Sequence, residues 1–203
     1  MNMQLSRMSP SITDMIRMDH SHVFAVFHRF KASTSSARKS ALVRNACLAI
    51  EVHAQLEEEI FYPALREAAG NDPVLDKSGP EHNEMRNLME RLRQMSPEDA
   101  EYDRTFHALM RTVIHHVADE EAVLLPEAEL RMADRLGELG AQMTKRRMEL
   151  IKPHMGELAT TSVQSFPVMS LLAATSALML GSLLVRRGGS QSSRPMLRRA
   201  WSR

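Results

Sequence analysis

Two eleven-residue stretches of the chain share one skeleton. "HAQLEEEIFYP" runs from His53 to Pro63, and "HVADEEAVLLP" runs from His116 to Pro126, 63 positions later; both read His-x-x-x-Glu-Glu-x-x-x-x-Pro. Residues four apart on a helix share a face. His53 therefore projects with Glu57 and His116 with Glu120, while Glu58 and Glu121 point well around the helix from those histidines. Two shorter motifs accompany them, "DHSHV" (Asp19, His20, Val23) and "EHNEM" (Glu81, His82, Met85). His20 precedes His53 by 33 positions and His82 precedes His116 by 34. Each half of the chain thus supplies an acid-His motif and then a His-x-x-x-Glu-Glu motif.

Four inward histidines and two inward carboxylates are too many for one tetrahedral zinc. They suit two transition-metal ions, with the carboxylates able to bridge. Imidazole with carboxylate favours iron, manganese or zinc over magnesium or calcium. An apolar interior would not bury such groups unless they were paired or bound to metal. Competing signatures are absent from the sequence: no Glu-x-x-His pair, no His-Glu-x-x-His, no Cys-x-x-Cys and no Gly-rich phosphate loop.

The elements that must position these residues are helical. Of 203 residues 43% are hydrophobic but only 4% aromatic, and the eight Gly and nine Pro fall mostly between periodic stretches, which suggests an all-α protein. Ser11 and Asp14 resemble a capping box, and Ile12, Met15, Ile16, Val23, Val26 and Phe27 recur at helical spacing up to "KASTSS". A second helix is expected from about Ser36 to Ala69, kinked or interrupted at Pro63. A third follows the "GNDPVLDKSGP" breakers and ends near Met95. A fourth starts at "SPED", with Ser96 as N-cap and Pro97 in its first turn, and runs past Pro126 as a charged extension to about Lys152. Short connections suggest an up-down-up-down four-helix bundle, built as two hairpins related by a pseudo-two-fold axis. The expected organisation is an N-terminal arm (1–10), the bundle (11–130), and a helical extension and linker (131–165).

Taken together, these motifs, in this order and at this spacing, resemble the hemerythrin-like, or HHE cation-binding, domains over roughly residues 10–130. The resemblance implies a bundle holding a non-haem centre of two iron ions, with manganese or zinc less favoured, that can meet dioxygen or another diatomic ligand. Carried over residue by residue, the ligands are His20, His53, Glu57, His82, His116 and Glu120. The sequence departs from the family's oxygen carriers in two places. Those carry a His-x-x-x-His pair on the third helix, whereas Ser78 and Arg86 flank His82 here. They also space the fourth-helix pair as His-x-x-x-x-Asp, which makes His115 a rival of His116; His116 is preferred because His116–Pro126 copies His53–Pro63. One histidine fewer leaves a more open iron and favours sensing, redox or protective chemistry over simple reversible oxygen carriage; the domain is expected to bind or sense dioxygen or respond to iron or redox state. A di-iron enzyme reducing peroxide or nitric oxide is one alternative, and a metal-free structural bundle another. The lack of a second cofactor motif leans the expectation away from an enzyme.

The remaining histidines, His22, His28, His107 and His154, read as bystanders. Met15, Met18, Met85, Met89 and Met110 read as core filler, Cys47 as buried and inert, and Tyr62 as packing with a phenol that could reach the site.

The end of the chain differs in character. Residues 151–203 carry a net charge of +6 and the remainder −5. "FPVMSLLAATSALMLGSLLV" (166–185) is 20 residues without a charge, followed by Arg186 and Arg187. Its length matches a bilayer core, so it is expected to be a single-pass C-terminal transmembrane helix before a basic disordered tail (186–203). Ala173, Ala177 and Gly181 form a small-residue stripe that would suit a homodimer. With no secretory signal in "MNMQLSRMSPSITDMIRMDH", the bundle is expected on the cytoplasmic side of a membrane. No folded reader accompanies the arginines, so no nucleic-acid partner is expected.

Overall fold

The computed structural model describes residues 10–70 and 72–155. Within them every regular element is helical. Helix α1 (Ile12–Arg29) starts on Ser11, whose hydroxyl accepts the Asp14 N–H at 3.1 Å, so the capping box forms as its sequence suggests. Helix α2 (Ser36–Leu56) runs back along it and passes into a π-helical turn, Glu57–Phe61, before α3 (Tyr62–Ala69) resumes the same rod. Gly70, at φ 82°, ends that rod in a conformation a side chain would resist. Helix α4 (Pro73–Gln94) packs on α5 (Tyr102–Asp119), which passes through a second π-helical turn, Glu120–Leu124, into α6 (Leu125–Arg131).

Both π turns have one cause. Pro63 and Pro126 lack an N–H, and their rings press on the carbonyls of Glu59 and Ala122, four residues earlier. The backbone widens instead of breaking: the Tyr62 N–H bonds the Glu57 carbonyl and the Leu125 N–H bonds the Glu120 carbonyl, five residues back. The repeated proline is therefore part of the motif, because it sets the helical register beside each glutamate.

Three expectations are corrected. Helix α4 starts at Pro73, inside the breaker cluster, because Asp72 caps it by accepting the Val74 N–H at 2.7 Å. Pro80 then lies within the helix at an exposed position, where water can serve the Asp76 carbonyl it leaves without a donor. Helix α5 starts at Tyr102 and not at Pro97, since the Asp99 carboxylate takes the Ser96 N–H at 2.8 Å and folds residues 96–101 into turns. The charged extension does not continue the fourth helix. The chain turns at buried Met132 and returns as a separate helix, α7 (Leu136–Ile151), which packs on α1 and α2. The bundle thus carries a fifth rod. Among the core methionines Met18 is the exception, at 38% exposed.

The membrane-anchored localisation also needs correction: among the described residues no helix is long and apolar enough to cross a membrane. The described rods are amphipathic, with charged residues on their outer faces. Residues 166–185 and the basic tail lie outside the described residues.

The seat of α7 is tight. A Cβ on Gly140 would stand 2.1 Å from the Pro10 carbonyl oxygen and 3.1 Å from the Ile12 nitrogen, so the helix meets the start of α1 backbone to backbone. Gly140→Ala is expected to destabilise the protein by about 1–3 kcal/mol through overpacking, read as a lower urea midpoint with little change in slope.

Candidate metal centre

His20, His53, Glu57, His82, His116 and Glu120 all meet in the middle of the bundle. None is more than 7% exposed, and both glutamates are 0% exposed. His115 is exposed, which places His116 and not its rival at the centre. Donor atoms of His20, His53, Glu57 and Glu120 lie within 4.8 Å of one another, as do those of Glu57, His82 and His116. Glu57 belongs to both groups. Glu120 Oε2 stands 3.1 Å from His20 Nε2 and 3.4 Å from His116 Nε2, so it too reaches both halves.

The four Nδ1 atoms face outward, each toward a carboxylate. His20 donates to Glu121 at 2.9 Å, His82 to Glu58 at 2.9 Å, His116 to Glu81 at 2.9 Å and His53 to Asp19 at 3.4 Å. A carboxylate can only accept, so these contacts put a proton on each Nδ1 and aim each Nε2 inward, where a metal ion can replace whatever proton it carries. The four acids are the residues that motif reading left without a role. Asp19 and Glu81 serve the histidine of the following helix in their own hairpin. Glu58 and Glu121 point away from their own histidines, as expected, and serve a histidine of the other hairpin. The doubling of the glutamate was the available signal: one carboxylate turns inward, and its neighbour crosses to the partner hairpin.

The inward atoms are arranged for a cation. His82 Nε2 and His116 Nε2 face each other at 3.1 Å, so a proton or a metal ion must sit on at least one of them. Glu57 Oε1 is buried without a hydrogen bond, and so is His53 Nε2, although Glu57 Oε2 lies 3.3 Å away. Tyr62 supplies the one neutral donor at the centre. Its one hydroxyl proton goes to Glu120 Oε1 at 2.8 Å, with Glu57 Oε2 at 3.1 Å as the alternative acceptor, and its ring stacks on His82. The π turn brings Tyr62 over Glu57, which an α-helical register would not do. Ser78, one turn before His82, is buried, but its hydroxyl donates to the Val74 carbonyl. Arg86, one turn after, reaches outward to Glu51 and Glu58.

Electrostatics follow the geometry. Burial alone would raise Glu57, but the charge of His53 and the hydrogen bonds of His116 and His82 hold its carboxyl well below the usual range. Burial opposes charging of His116, yet the Glu57 hydrogen bond and the charges of Glu120 and Glu57 push it up to about 9. Burial, with the charges of Glu57 and Glu120, pushes Tyr62 well above its ordinary value, so it stays a phenol and a donor. Cys47, on another face of α2, is raised by burial to about 11 and is inert.

An all-helical bundle with two buried, carboxylate-linked histidine pairs defines a protein built to hold metal cations. A family profile described as "Hemerythrin HHE cation binding domain" matches residues 11–165. The chain belongs to the hemerythrin HHE cation-binding domain family, and the match takes in α7 as well as the four-rod bundle. A DNA nickase of Nostoc sp. (strain PCC 7120 / SAG 25.82 / UTEX 2576) is 27% identical over 150 residues, 74% of this chain and 42% of the nickase; the chain spans less than half of that relative's length. The crystal structure of a hemerythrin HHE cation-binding domain-containing protein from Mycobacterium kansasii, an Rv2633c homologue, superposes with a TM-score of 0.61 at 18% identity. It covers 74% of this chain and 93% of that one, a likeness of fold.

The raised His116 fixes a sign. A pKa lifted from 6.5 to about 9 adds stability that is complete below pH 6.5 and lost as pH rises through about 9. Metal binding needs the neutral ring and runs the other way. Chelator-treated protein is therefore expected to melt at falling temperature across that window, while metal affinity rises across it. Calorimetry of the two forms over the same pH series reads both trends.

Proposed function

We propose that the chain binds a pair of metal ions, iron foremost, between His20 and His53 on one side and His82 and His116 on the other, with Glu57 and Glu120 spanning the two. The observation that carries this reading is the inward convergence of four Nε2 atoms, each on a ring backed by a carboxylate at Nδ1, around two fully buried glutamates. Nothing in an apolar bundle compensates that donor set as well as cations do. Bound there, the metal pair supplies a Lewis-acidic and redox-active position for a small ligand.

The surroundings support a diatomic ligand such as dioxygen. A cavity of about 10 Å³ lies against Asp19, His20, His53 and His116 and is otherwise walled by Val23, Ile50, Met85, Val113 and Val117. It has room for one molecule about the size of water, set between the imidazoles and the aliphatic side chains. The Tyr62 phenol stands by the two carboxylates, ready to donate a hydrogen bond. That donor is also the specific observation favouring the second reading, a reductase for peroxide or nitric oxide, since a fixed hydrogen-bond donor would stabilise negative charge building on the reduced oxygen.

Metal analysis of the full chain, expressed in iron-supplemented medium without a metal-affinity tag, is expected to give about two irons per chain, consistent with two donor groups sharing Glu57. Glu57→Ala is expected to lose the pair; two irons retained in that variant would refute the assignment. Val113→Ile adds one methylene to the cavity wall. It should leave metal content intact and weaken nitric oxide binding, a spectroscopic probe for dioxygen, by about tenfold or more. Rapid peroxide or nitric oxide turnover that Tyr62→Phe slows, with iron retained, would establish the second reading instead.

A further inference from the structure

Arg147 occupies a position on α7 where an amphipathic helix should present an apolar side chain. It lies one turn beyond Met143, which is 1% exposed, and its own side chain is 14% exposed. Both terminal nitrogens grip Asp19, Nη1 to Oδ1 at 2.5 Å and Nη2 to Oδ2 at 2.6 Å, and Asp19 is 13% exposed. The guanidinium spends its Nε in this position, buried and without a hydrogen bond. A desolvated ion pair of this kind is a poor source of stability and a good device for fixing geometry.

What it fixes is one histidine. Asp19 Oδ2, the oxygen held by Nη2, also accepts the His53 Nδ1 proton, at 3.4 Å against 2.9 Å for the other three histidine–carboxylate contacts. Helix α7 packs on α1, α2 and the first π turn, the elements carrying His20, His53 and Glu57. The pseudo-equivalent of Asp19 is Glu81; it is 23% exposed, and its ion pair is with His116. The preceding residue, Arg146, forks onto Glu59 at 2.6 and 3.0 Å on the exposed side of the same helix, which makes it a natural control.

We infer that Arg147 is a positioning residue for one of the two metal positions: by holding Asp19 it orients the His53 ring, and α7 is a latch on the His20–His53 half of the site alone. The inference rests on the metal reading above. It requires that loss of the grip be felt at one ion and not at both.

The test compares full-length wild type, Arg147→Met and Arg146→Met, each iron-loaded. Release of iron to a chelator is followed in time, and the Mössbauer spectrum is recorded. In Arg147→Met one of the two irons is expected to leave about tenfold faster or more, with one component of the spectrum shifted and the other unchanged; Arg146→Met should match wild type. If both irons loosen together, or if Arg147→Met matches Arg146→Met, the latch is overturned while the metal reading stands. Wild-type protein holding less than one metal ion per chain overturns the metal reading beneath it. Should Arg147→Met not fold, Arg147→Lys, which keeps the charge but not the two-pronged grip, carries the same comparison.

Discussion

Six ionisable groups stand together where a helical bundle would ordinarily place leucine. Two glutamates are fully buried, and four histidines surround them. Removing an isolated carboxylate from water costs several kcal/mol or more even after relaxation, and two such groups a few ångströms apart repel. The rest of the structure reads as compensation for that one placement. Imidazoles flank each carboxylate, an outer carboxylate backs each imidazole, and arginines hold two of the outer carboxylates, Asp19 and Glu58. Charge alternates outward in shells until it reaches solvent. A cation at the centre completes the alternation, which is why a metal-binding reading explains more of the sequence than a structural one.

The repeat and the prolines are two parts of one solution. A hairpin alone supplies two histidines, one inward glutamate and one outward glutamate. It cannot back both of its histidines, because the second glutamate points away from the first helix of its own hairpin. Two hairpins related by a pseudo-two-fold axis remove the deficit, since Glu58 serves His82 and Glu121 serves His20. The prolines contribute through the backbone. By forcing five-residue hydrogen bonds after each inward glutamate, they rotate the following turn toward the centre.

Much of this was legible in the sequence. Helical spacing alone puts His53 with Glu57 and His116 with Glu120, and the order of motifs leads to the fold and the family. What was not legible depends on tertiary contacts or on backbone widening. Glu58 and Glu121 lie off the ligand face of their own helix, and only the packing of the other hairpin shows what they face. Tyr62 lies far from Glu57 in an α-helical projection, and the π turn brings it round. The start of α4 at Pro73 was hidden because Asp72 as a cap outweighs the glycine and proline that follow it. Arg147 was readable in principle: Leu139, Met143 and Ile151 mark the buried face of α7, and an arginine on that face demands a carboxylate on the opposing helix. That inference needs α7 to be a separate helix, and the turn at Met132 carries no glycine or proline to announce it.

The pseudo-symmetry is broken at two places, and both bear on what the site can do. Position 62 is a tyrosine in the first hairpin, and its counterpart, 63 residues on, is Leu125, which is fully buried in the apolar core. The fifth helix covers the first hairpin and grips its outer acid, while the second hairpin's outer acid is more open to solvent. A symmetric pair of metal positions would treat a small ligand alike at either end. Here the phenol stacks on His82 of one half, and the small cavity reaches Asp19 and both histidines of the other, His20 and His53, along with His116. The two halves therefore differ in what stands beside them, a phenol at one and a largely aliphatic cavity at the other.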